Sequence, residues 1–216
     1  MIGRGRWRWL AAGIATLAIL VALPSRATAA DLASLLASIA ARSAGVKTLA
    51  CTVRQERHLK VLSKPVLFTG QLTVEKPDRL RLELTAPIPS VFLLDGSHGT
   101  HCSGDGEPRR FDLGADPAMA AMGRQMTSWM AGDYAALQDR YEMVAVEPGP
   151  GVVMTPRDPG VARVIARLEV LFEPETLHPR RLEIVEPGGD RTVIWFTGIV
   201  VNGAVDQRVF SECHPA

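Results

Sequence analysis

Charge is nowhere concentrated in this chain. Its 24 Lys and Arg and 23 Asp and Glu give a formal net charge of +1, with both signs scattered along the length. No basic stripe is present that would attract nucleic acid or an anionic bilayer, so both are set aside as partners. Internal repeats, low-complexity runs and interdomain linkers are also missing, which points to one domain. After residue 30 no apolar run reaches the roughly 20 residues needed to cross a membrane. Cysteine is sparse and odd in number: Cys51, Cys102 and Cys213. One bridge plus one buried thiol is the expected arrangement where disulfides are permitted. Cys102–Cys213 is the favoured pair, because Cys51 sits in an apolar-alternating segment and reads as core. Spacing alone leaves the connectivity open.

Recognisable catalytic and metal motifs are absent too. His98, His101 and Cys102, with His214 beside Cys213, are ligand types suited to zinc or copper, but their spacing matches no closed metal motif. Gly96-Ser97-His98-Gly99 lacks the glycine two residues before the serine that a nucleophile elbow requires. Asp105 and Glu107 lie in a loop with no apolar surroundings to shift either carboxyl. Nothing here calls for an enzyme, a metal or a cofactor.

The N-terminus is informative. Arg4, Arg6 and Arg8 precede an apolar stretch from Leu10 to Leu23, and Ala27-Thr28-Ala29 is a small-residue cleavage site. Residues 1–29 read as a cleaved signal peptide, which places the mature chain outside the cytoplasm. Cleavage would remove four arginines (Arg26 included) and no acid, leaving 187 residues, 30–216, with net charge −3. That length supports a substantial core. The surroundings of Cys51 do not match a lipoprotein signal.

The mature chain opens with a helix: Asp31 is a plausible N-cap, Leu32, Leu35, Leu36 and Ile39 recur at helical spacing, and Gly45 is placed to end it. Strands follow. Val66, Phe68, Leu72 and Val74 alternate with Leu67, Thr69, Gln71 and Thr73. After Pro77-Asp78, Leu80, Leu82 and Leu84 alternate with Arg79, Arg81 and Glu83, the mark of an antiparallel strand with one wet face. A long strand is expected near residues 162–172, with Val164, Ala166, Leu168, Val170 and Phe172 on one face. Between the strand-rich halves, residues 117–130 read as a helix with the methionine-rich face Met119, Met122, Met126, Trp129 and Met130. A second short helix is expected over 133–139. The fold class is α+β: one curled antiparallel sheet with helices on its concave side.

These residues resemble a known family. Val53-Arg54-Gln55, then Gly70-Gln71-Leu72-Thr73-Val74-Glu75-Lys76-Pro77, are similar to motifs of the LolA-type periplasmic lipoprotein carriers. Thr85-Ala86-Pro87, Asp95-Gly96, Gly132-Asp133 with Leu137 and Tyr141, and Met154-Thr155-Pro156 follow in the family's order. Together they span about residues 31–212. The resemblance implies an open, incomplete antiparallel β-barrel with an α-helical lid on its concave face. It also implies a monomeric carrier without catalytic activity that binds the acyl chains of lipoproteins. Such a carrier would take its cargo from an inner-membrane release complex and deliver it to an outer-membrane acceptor.

On that basis Val66, Phe68, Leu72, Val74, Leu80, Leu82 and Leu84 are the expected ligand-binding residues of the apolar concave face. Leu32, Leu35, Leu36, Ile39, Met119, Met122, Met126 and Trp129 would form the lid. Lys76 stands where the family has a lid-holding arginine; lysine keeps the charge but loses the planar fork. Leu80 and Leu82 replace family aromatics, and Thr100 and Cys102 occupy the strand after Asp95-Gly96. These departures point to a divergent paralogue, with another envelope lipid or amphiphile as alternative cargo. A periplasmic sensor or scaffold domain of the same fold is the further alternative.

Overall fold

The computed structural model describes residues 29–104, 106–113, 115, 128–129, 132–146 and 148–214. Residues 1–28 of the expected signal peptide and most of the methionine-rich stretch, with Met119, Met122, Met126 and Met130, lie outside them.

Helix α1 spans Ala29–Ser43. Its apolar positions fall three and four residues apart and form one stripe. Asp31 lies inside the first turn rather than at the N-cap, where its carboxylate still meets the positive end of the helix dipole. Eleven strands follow: β1 Thr48–His58, β2 Val66–Glu75, β3 Arg79–Ala86, β4 Ser90–Asp95, β5 His98–Ser103, β6 Arg109–Asp112, β7 Tyr141–Ala145, β8 Gly151–Pro156, β9 Arg167–Phe172, β10 Pro179–Val185 and β11 Arg191–Val201. They form one sheet in the order β6-β5-β4-β3-β2-β1-β11-β10-β9-β8-β7. Every pairing is antiparallel. β6 and β7 form its two edges, so the barrel is open.

Register places the alternation on defined faces. Leu72 stands opposite Leu82 and Cys51, and Val74 opposite Leu80 and Leu49. Leu182 stands between Ile194 and Val170, and Val152 pairs with Val170. All of these share the inner face. Gly70, from the family-like stretch, lies at a register shift between β2 and β3. A Cβ there would sit 1.9 Å from the Glu83 carbonyl oxygen, so any side chain would force the strands apart.

The inner face carries two apolar clusters. One holds Leu36 and Ile39 of α1 with Tyr134, Leu137, Tyr141, Val152, Met154, Leu168, Val170, Phe172 and Leu182. The other holds Leu49, Cys51, Val53, Leu72, Val74, Leu80, Leu94 and Leu113. Ile194 and Phe196 of β11 pack against both.

Three further sequence expectations are corrected. The long strand over 162–172 begins at Arg167, because Asp158 accepts a hydrogen bond from Val161 N (2.9 Å) and caps a short helix α2, Pro159–Ala162. Val164 is therefore a 59% exposed residue ahead of the strand. The helix expected over 133–139 is a shorter 3₁₀ turn, Ala135–Leu137, with Asp133 Oδ1 accepting from Ala136 N.

The charged face of β3 is also not fully wet. A C-terminal 3₁₀ turn, Gln207–Phe210, and the residues after it cover the outer face of β3–β5. Phe210 is buried there, as are Val91, Leu93 and Cys102. Arg81 is only 9% exposed. It donates to the carbonyls of Val209, Glu212 and His214 and pairs with Glu83 at 2.8 Å. A Cys102–Cys213 disulfide fastens this segment, and Cys51 is a buried free thiol.

Candidate functional site

The inner face supplies a continuous apolar surface, and α1 covers one part of it. Leu36 and Ile39 are 3% and 1% exposed, and Leu32, Leu35 and Trp129 pack around them. This places α1 over the β7–β10 side. The expected ligand-face residues lie on the other side, in β2 and β3. Leu72, Val74 and Leu80 are closed into the second cluster, whereas Val66, Phe68, Leu82 and Leu84 are only half-buried. Half-buried Phe92 and Phe111 extend that surface across β4 and β6, their rings stacked at 5.7 Å. Sequence reading missed both, although Phe92 follows the same alternation as its partner Leu82.

The C-terminal end of α1 is tied down by a small polar cluster. Lys76 Nζ donates to the carbonyl of Ser43, the last helical residue, at 2.8 Å. An ammonium at this end of a helix satisfies a free carbonyl and meets the negative end of the dipole. Burial pulls the Lys76 pKa down, while the Asp133 carboxylate raises it in part. Asn202 helps from the far end of the chain, donating to the Gly45 carbonyl at 3.0 Å and accepting from Lys47 N at 2.7 Å. Gly132 takes a positive φ of +73°, and a Cβ there would fall 2.0 Å from Ser43 Oγ, so only glycine lets the helix end pack this closely. Lys76, Asp133 and Gly132 were legible as motif residues. The part Asn202 plays in holding the helix end comes only with the fold.

Beneath α1 lies a void of about 10 Å³, lined by Ile39, Ser43, Trp129, Tyr134, Phe172, His178 and their neighbours. Tyr134 packs edge-on against Phe172, with ring centroids 5.2 Å apart. Burial pushes the Tyr134 phenol well above its ordinary pKa, so it remains a neutral hydroxyl. The His178 pKa is lowered, by burial first and then by the charge of Arg42.

The metal-ligand types noted in the sequence are separated. Cys102 and Cys213 use their sulfurs in the disulfide, and His98 and His101 project from opposite faces of β5. A second cavity of about 810 Å³ lies between the C-terminal segment and β4–β6, with Leu93, Phe111 and Phe210 among its apolar lining. Among the described residues no helix is long and apolar enough to cross a membrane.

The sequence model of the family described as "Outer membrane lipoprotein carrier protein LolA" matches residues 44–213. The chain belongs to the LolA family. No curated protein matches the LolA-family chain in sequence. Among solved structures it is similar to MucB, with a TM-score of 0.50 and 16% identity over 86% of this chain and 64% of that one. It thus spans less than two thirds of MucB, and the likeness concerns the fold. A LolA superfamily protein from Nitrosomonas europaea matches with a TM-score of 0.41 and 11% identity, over 81% of this chain and 96% of that one. The lipoprotein LppX of Mycobacterium tuberculosis matches with a TM-score of 0.45 and 13% identity, over 81% and 98%.

Proposed function

We propose that this LolA-family protein is a periplasmic carrier that binds the acyl chains of lipoproteins in its apolar half-barrel and moves them from the inner to the outer membrane. Residues 1–29 would direct export and be removed, leaving residues 30–216 as the carrier domain. The loading and receiving partners would be an inner-membrane release complex and an outer-membrane acceptor, with the carrier acting as a monomer. The observation that carries this reading is an apolar inner face of two clusters, one covered by α1 and the other continued by half-buried Val66, Phe68, Leu82, Leu84, Phe92 and Phe111. Val66, Phe68, Leu72, Val74, Leu80, Leu82 and Leu84 would contact the acyl chains, with Lys76 gating the helix.

The physical logic is one of compensating contacts. Each methylene exposed to water costs roughly 0.8 kcal/mol, so a bare diacyl or triacyl anchor cannot cross an aqueous space. A cavity already filled by its own helix offers the cargo only the difference between two sets of apolar contacts. That keeps affinity low enough for release. Native mass spectrometry of the mature protein purified gently from the periplasm tests the reading. A mass increment matching a triacylated peptide supports it, and an increment matching a different acylated amphiphile changes the cargo but keeps the carrier. A clean apo mass, unchanged after incubation with lipoprotein and lipid extracts, would remove the carrier reading in favour of a sensor or scaffold.

A further inference from the structure

Among the described residues, two buried polar atoms in the lid half have no hydrogen-bond partner: Tyr134 Oη and Trp129 Nε1. Both side chains line the same void of about 10 Å³ under α1. Tyr134 is 1% exposed and belongs to the apolar cluster of Ile39 and Phe172. Buried polar groups are paired in the great majority of cases, and an orphaned one costs its full desolvation. Two orphans at one void, both on side chains that carry a donor, mark a place suited to an acceptor atom. The indole can only donate, and the phenol can donate as well. The void is about the size of one oxygen-bearing group, such as a carbonyl oxygen or a water molecule.

We propose that Tyr134 and Trp129 form a donor pair for the carbonyl oxygen of an ester- or amide-linked acyl chain, engaged when cargo displaces α1. This rests on the carrier reading and deepens it, because it makes the acyl linkage, as well as the hydrocarbon, a recognised element. It also gives the closed state a defined weakness. With the helix in place both donors are desolvated and unpaired, and cargo bearing a carbonyl relieves both at once. Pure hydrocarbon relieves neither. The pair therefore discriminates acylated amphiphiles from alkyl chains of the same length.

The test offers the mature protein an equimolar mixture of a diester glycerolipid and its diether analogue of equal chain length. The bound ratio is read by native mass spectrometry. One neutral hydrogen bond corresponds to about a threefold to tenfold preference, so the wild-type protein should hold the ester form in that excess. Tyr134→Phe should bring the ratio close to one, with a melting temperature equal to or above that of wild type, since it deletes an unpaired buried hydroxyl. Trp129→Phe should lower the ratio in the same direction and guards against misfolding of the first variant. Equal binding of the two lipids by wild type overturns this inference and leaves the carrier reading intact. An unchanged ratio in Tyr134→Phe, or a clear fall in its melting temperature, also overturns it and indicates a resident water held by the hydroxyl. Binding of neither lipid overturns this inference, and the carrier reading falls with it only if a triacylated lipoprotein is not bound either.

Discussion

Among the described residues, the two halves of the sheet take their covers from different elements and on opposite faces. The β7–β10 half packs α1 against its inner face, while its outer face carries an ion-pair lattice in which Arg181 joins Glu169 and Glu183. The β3–β5 part of the other half receives its cover on the outer face, from Phe210 and the disulfide-tied C-terminal segment. Its inner face keeps half-buried Leu82, Leu84 and Phe92. The covers differ in how they are fastened. The C-terminal segment is held by a covalent bond and by the Arg81 hydrogen bonds, whereas the end of α1 is held by hydrogen bonds around Ser43 and Gly45. A rigid outer cover can stiffen the sheet while a weaker inner cover is displaced, and the same sheet serves both.

That contrast can be broken most strongly at the disulfide. Replacing Cys102 and Cys213 by alanine opens a loop of more than a hundred residues and is expected to cost about 3–5 kcal/mol in urea unfolding. Acyl-ligand binding by the protein that remains folded should change little, because the segment lies on the outer face. A large loss of binding would show that the two covers are coupled. A smaller effect belongs to Lys76→Leu, which removes the helix-end cap and should cost about 1 kcal/mol. Native-state hydrogen exchange should place the loss in α1 and leave β2–β5 protected, while Lys76→Arg should restore protection. A uniform loss across the sheet would argue against a separately gated helix.

The smallest effect concerns pH. His178 lies in the lid half, and its folded pKa is lowered by burial and by Arg42. Above the unfolded value of about 6.5 the ring is neutral in both states and adds no pH dependence. As pH falls through that value, the unfolded chain takes up the proton first, so stability declines until the folded pKa is passed. His178→Gln should remove this part of the decline. Parallel wild-type and variant profiles between pH 7 and 5 would count against it.

Much of this architecture was readable because β2 and β3 alternate so cleanly: Leu72 opposite Leu82 and Val74 opposite Leu80 follow from period two and the Pro77-Asp78 turn. Cys51 alternates with apolar neighbours and is the buried free thiol, and the disulfide joins Cys102 to Cys213. What failed were readings that treated a face or a strand in isolation. Arg81 looked solvated because nothing local foretells a C-terminal segment folding back across 128 or more positions to take its hydrogen bonds. Val164 fitted the strand period, but the Asp158 cap and Pro159 had already set a helical turn. The donor pair was half legible: Trp129 belonged to the expected lid face, whereas Tyr134 carries no periodic signal and became visible only through its unpaired hydroxyl.

The central seam of the sheet joins β1 to β11, with Val53 opposite Phe196 and His58 opposite Arg191. More than 130 residues separate these two strands in the chain. The middle of the barrel therefore stays unzipped until β11 joins β1, and long-range pairing of this kind forms slowly. Residues 202–213 follow directly and bring Asn202, Phe210 and Cys213, so one short segment fastens both halves once the seam has closed.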